Sequence, residues 1–166
     1  AVEAPREESD KKEPAPAPPQ PTREVAGARK VVEAKALEEG GRARDALLLQ
    51  TRAWREAPSE AERETVLRAL LPMVERRLLS PDAPDDLAFT HVLAAGENLH
   101  ALCQRWAWEK KVRATPGLIL RMNGLPEARR LRTGTRLKVP RDDPRIEVFK
   151  GRFRLAVFLG DLLVKE

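Results

Sequence analysis

A chain of 166 residues with 14 prolines and only 4% aromatic residues is poorly supplied for one large compact core and is expected to divide into small modules. Its net charge of +5 is uneven, because residues 105–154 carry 15 basic against 5 acidic side chains, a field that suits an anionic polymer such as nucleic acid, an anionic wall polymer or a membrane surface. A single cysteine, Cys103, excludes an intrachain disulfide framework, and no apolar run approaches the roughly 18 residues of a membrane span.

Residues 1–24, AVEAPREESDKKEPAPAPPQPTRE, are charged and proline-rich with nothing apolar to bury, and predict a disordered, extended tether. From residue 25 to 82 the pattern turns helical. Ala-rich segments at Val25–Glu39, Arg42–Ala57 and Ser59–Leu79 are punctuated by Gly40-Gly41 and Pro58, which predicts a small helical spacer. Ser59 and Glu62 form a capping box at the start of the third helix. Pro72 predicts a kink or break near Leu71. Leu47, Leu48, Trp54, Leu67, Leu70 and Val74 are expected to pack on one another, and SPDAPDD at 80–86 marks a boundary.

Residues 87–141 predict strand, turn, helix, helix, loop and strand. Phe89, His91 and Leu93 alternate with Val92 and then give way, through Ala-Ala-Gly, to the helical stripe Leu99, Leu102, Cys103, Trp106. Asn98 is placed as the N-cap of that helix. Thr115-Pro116 starts the next one, with Leu118, Ile119 and Met122 on its buried face, and Asn123-Gly124 ends it in a left-handed turn. The strand RLKVP, residues 136–140, turns Leu137 and Val139 inward. Trp106 lies on the apolar stripe, whereas Trp108 is out of phase and is expected against the helical spacer. His91, His100 and Cys103 supply three candidate metal ligands without a fourth, one of them on the interior stripe, so no metal or cofactor is expected.

The run FTHVLAAGENLHALCQRW…TPGLILRMNGLPEARRLRTGTRLKVP resembles the LysM module. Positions that match in register are Val92, Gly96, Leu99, Leu102, Leu120, Asn123, Gly124, Gly134, Leu137, Val139 and Pro140. The resemblance implies a βααβ domain over residues 87–141 that binds N-acetylglucosamine-containing glycans, chiefly peptidoglycan or chitin. It implies a groove with Gly96, Glu97, Asn98 and Leu99 on one wall and Asn123, Gly124, Leu125 and Pro126 on the other. Glu97-Asn98 stands where Asp-Thr is usual, and AWEKKVRA at 107–114 lengthens the connection between the helices.

Residues 145–166 alternate as Ile146, Val148, then Phe153, Leu155, Val157, with turns at Lys150-Gly151 and Gly160-Asp161. These read as the first strands of a β meander, with Leu162, Leu163 and Val164 in need of a partner surface. The segment IEVFKGRFRLAVFLGDLLVKE resembles the opening strands of an L,D-transpeptidase catalytic domain, a family that cross-links peptidoglycan stem peptides through a Cys nucleophile in a Ser/Thr-His-Gly-Cys signature. This sequence holds no such signature, and Cys103, on an apolar helix face, is expected to be inert.

The fold expected is therefore α+β: a helical spacer, a βααβ domain and an incomplete meander. The chain is expected to be the non-catalytic N-terminal region of a longer bacterial protein of the cell envelope, periplasmic or extracytoplasmic, with peptidoglycan glycan strands as partner and no nucleic acid. Two alternatives stand beside it. One is a polyanion or nucleic-acid module built on Arg129, Arg130, Arg132, Arg136, Lys138 and Arg141; the other is a LysM fold kept only as a spacer.

Overall fold

The computed structural model describes residues 23–166, with side chains from residue 28 onward. All but the last two residues of the expected tether lie outside this range. The elements run α1 (Arg23–Glu39), α2 (Ala43–Glu56), α3 (Glu60–Arg77), β1 (Ala88–Val92), α4 (Leu99–Glu109), α5 (Pro116–Met122), β2 (Arg136–Pro140), β3 (Pro144–Phe149), β4 (Arg154–Leu159) and β5 (Leu162–Lys165). The class is α+β, with β1 and β2 forming one antiparallel pair and β3, β4 and β5 a second antiparallel sheet in that order.

Helix boundaries follow local chemistry. Glu62 N donates to Ser59 Oγ at 3.2 Å to open α3, satisfying one of the amides left free by the helical pattern. α3 runs through Pro72 without a break in its span, so the helix does not end near Leu71. Pro72 is exposed, on the side of α3 turned away from the core, where losing one backbone donor is least costly.

The packing groups the segments differently from their linear order. One core contains Leu47, Trp54, Leu70 and Val74 of the helices together with Ala156, Phe158, Leu159, Leu162 and Leu163 of the meander. The surface that Leu162 and Leu163 need is supplied by α2 and α3. Trp54 meets Phe149 and Phe158 edge-on, each at 6.0 Å between ring centroids, a favoured arrangement of aromatic quadrupoles. Leu163 N donates to the buried Thr51 Oγ1 at 3.0 Å, and Trp54 Nε1 donates to Glu166 at 2.8 Å. Arg44–Asp142 and Arg55–Glu147, both 2.9 Å, close the outside.

Within the meander, most of the alternating apolar residues lie on the uncovered side. Ile146, Val148, Phe153 and Leu155 are exposed, Phe153 at 97%. Cross-strand partners share a face, and the register puts Val148 opposite Leu155 and Ile146 opposite Val157. The other face carries Phe149, Ala156 and Phe158, and that one meets the helices. Period two defines two faces of a strand and does not say which is covered.

Residues 87–141 hold a second core of Leu93, Leu99, Leu102, Cys103, Trp106, Val112, Ala114, Ile119, Leu137 and Val139. Leu137 and Val139 are fully buried, as the alternation of β2 requires. The β1–α4–α5–β2 unit is joined to the larger core through Met122, fully buried within it, and Leu118, packed against it. Arg121 pairs with Glu75, and Lys138 with Asp85 at 3.1 Å, across the same seam.

Candidate functional site

Two turns at the ends of α4 and α5 carry the residues singled out in the sequence. After β1, Glu97 N donates to Ala94 O at 3.3 Å, closing a turn whose third residue, Gly96, has φ +79°. That value is costly for any residue with a Cβ, which is the reason for glycine here. A Cβ at Gly96 would meet nothing within 4 Å, so the demand is conformational and the surface above the turn is open.

Glu97 locks this turn from below. Its Oε2 accepts from Ala94 N at 2.9 Å and from His91 Nε2 at 2.8 Å, and its Oε1 accepts from Arg105 at 2.8 Å. The Ala94 amide, followed by the bonds from His91 and Arg105, holds the carboxyl down from 4.5 to about 2. An ionised carboxylate only accepts, so the His91 Nε2 carries the proton in this contact. The same ring stands edge-on to Trp106 at 5.3 Å. Asn98 Oδ1 accepts from Ala101 N at 2.9 Å, the N-cap expected of it. Leu99 is 4% exposed and belongs to the small core.

The second turn follows α5, which starts as expected with Pro116 at its first positions and Thr115 Oγ1 accepting from Leu118 N at 3.3 Å. Gly124 N donates to Arg121 O at 3.1 Å and Leu125 N to Leu120 O at 2.9 Å. This is the paired bonding of a left-handed helix end, with Gly124 at φ +61°. Asn123 ties the end to β2: its amide nitrogen donates to Ile119 O at 2.7 Å and Lys138 O at 2.8 Å, and its oxygen accepts from Lys138 N at 2.8 Å. Leu125 packs on the same small core that holds Leu99.

The eight expected residues thus divide by what their atoms are free to do. Glu97 and Asn123 have their side chains held in internal bonds, Leu99 is buried, and Asn98 is exposed with its Oδ1 taken by the cap; Gly96, Gly124 and Pro126 are exposed and Leu125 is half-buried. The turns themselves can offer backbone groups and small open surfaces to a ligand. A cavity of about 120 Å³ lies elsewhere, lined by Trp54, Arg55, Arg63, Phe149, Arg152, Arg154 and Glu166.

The other candidates resolve as follows. Arg129 and Arg130 share Glu127, Arg132 donates to the carbonyls of Arg129 and Leu131, Lys138 pairs with Asp85, and Arg141 donates to Asp85 O. Those contacts bind much of the basic set to its own surroundings, while Arg136 is exposed. Cys103 is buried, and burial pushes its thiol up. His100 meets Gln104 at 3.2 Å. Among the described residues no helix is long and apolar enough to cross a membrane.

Two features were not expected. Trp108 does not pack on the helical spacer and is 81% exposed. The His91–Glu97–Arg105 network joins residues six and eight apart, and its only sequence signal is an acid just before a helix with an arginine two turns into it. No family model, no curated protein and no solved structure matches the chain.

Proposed function

We propose that the chain binds the N-acetylglucosamine-containing glycan strands of peptidoglycan through the turns at Ala94–Asn98 and Asn123–Pro126. It acts as a LysM module in the non-catalytic region that anchors an L,D-transpeptidase at the bacterial cell envelope. The observation that carries this reading is the fixing of both turns, by separate bond networks, on one small core. A polar, flexible sugar chain is bound best by donors and acceptors that need no further ordering. Glu97, Asn98, Leu99 and Asn123 build the turns, and Gly96, Gly124, Leu125 and Pro126 face the sugar. The meander at 145–166, by its sequence resemblance, marks the approach to the transpeptidase.

Retention of the whole chain on insoluble peptidoglycan tests this. Ala95 and Pro126 are exposed, so Ala95→Phe with Pro126→Phe adds bulk to both turns and removes no internal bond. Soluble N-acetylglucosamine oligomers and this double variant are each expected to abolish retention. Retention by the double variant equal to that of the parent, or release by salt alone, would leave only a basic surface binding charge.

A further inference from the structure

The outer face of α4 leads away from the first turn. Ala101, Gln104, Arg105 and Trp108 are all exposed, and their spacing of three, four and seven places them on one side of the helix. Arg105 joins that side to the turn through its 2.8 Å pair with Glu97. Trp108 stands about 10 Å further along the axis than Ala101, at 1.5 Å per residue. An indole that is 81% exposed is unusual for the largest apolar side chain, and nothing from the helical spacer covers it. The Lys111 ammonium lies 5.5 Å from its ring centroid, close enough for the ring quadrupole to attract it. Lys111 itself sits at φ +57°, where α4 ends with Lys110 N and Val112 N both donating to Trp106 O. Glu109 is the acid nearest in sequence, set against Arg105, Lys110, Lys111 and Arg113.

We infer that this face of α4 is a second contact surface for the same glycan strand, with the Trp108 indole as a platform for an N-acetylhexosamine ring. The inference rests on the glycan reading of the turns and extends it. A pyranose ring has an apolar face of C–H groups that lies on an aromatic plane, and its edges carry hydroxyls and amides that suit Gln104 and Arg105. Cations around the indole complement the carboxylates that peptidoglycan strands carry. The ordered pair of Arg105 with Glu97 makes the face continuous with the turn, so one strand spans both.

Tryptophan emission reads this site directly, because Trp54 and Trp106 are 3% and 1% exposed. In the whole chain, iodide reaches Trp108 before either of the others. Saturation with soluble N-acetylglucosamine oligomers is expected to shift the emission to shorter wavelength and to protect it from iodide. Trp108→Ala is expected to bind the oligomers about fivefold more weakly and Trp108→Phe to recover part of the loss. If the parent binds through its turns but its emission is unchanged, or Trp108→Ala binds as the parent does, the α4 surface is refuted and the turns stand. If no chain binds any oligomer, both are refuted together.

Discussion

Replacing Asn123 tests how the second turn is held. The Asn123 amide makes three bonds at 2.7–2.8 Å, two of them to the backbone of Lys138 in β2. At about 1 kcal/mol net for each bond lost, Asn123→Ala is expected to cost about 3 kcal/mol. For a chain of this size that is a fall of about 6–12 °C in the midpoint of thermal unfolding. Asn123→Asp is the sharper probe. It keeps the volume and the acceptor for Lys138 N, but turns an oxygen toward Ile119 O and Lys138 O, where the amide nitrogen donated. It is expected to cost at least as much as alanine. Urea unfolding with unchanged slope gives both values. An alanine variant within about 1 kcal/mol of the parent, or an aspartate variant as stable as the parent, would refute the bonding described.

Three more outcomes follow from the geometry. Phe158 is fully buried between α2 and the meander, with the guanidinium carbons of Arg55 and Arg145 at 4.5 and 5.0 Å from its ring centroid. Phe158→Ala is expected to cost about 3–5 kcal/mol and to lower helix and sheet transitions together; separate transitions would contradict the shared core. Glu97, depressed from 4.5 to about 2, contributes stability that is present above its ordinary value and lost as the pH falls through about 2. Carbon NMR of its carboxyl should show it ionised at pH 3, and a midpoint near 4.5 would contradict the turn network. Cys103, buried and with its thiol pushed up, should react with a disulfide reagent only on unfolding; rapid labelling of the native chain would refute its placement.

Signals that act within a few residues were legible in the sequence. Asn98, Ser59 and Thr115-Pro116 mark helix starts because a cap needs only its own neighbours, and Asn123-Gly124 marks an end because the left-handed position favours glycine. Leu137 and Val139 were legible because one face of a short strand must be buried. What the alternation could not give was the partner of the meander: Phe149, Ala156 and Phe158 face the helical core, far off along the chain, the paired Arg55 and Glu147 being 92 residues apart. The eight candidate residues were placed on two turns by their order in the sequence, but what their side chains bond to needed coordinates. Whether Asn123 meets a sugar or Lys138, and whether Trp108 meets a helix or solvent, depends on side-chain direction, which spacing alone leaves open.

Titration of the isotopically labelled whole chain with a soluble N-acetylglucosamine oligomer, following every backbone amide by NMR, tests glycan binding at the two turns. Saturable shift changes are expected only at residues 94–98, residues 123–125 and the outer face of α4. Absence of change at saturating oligomer, or changes only at Arg129, Arg130 and Arg136, would contradict binding at the turns.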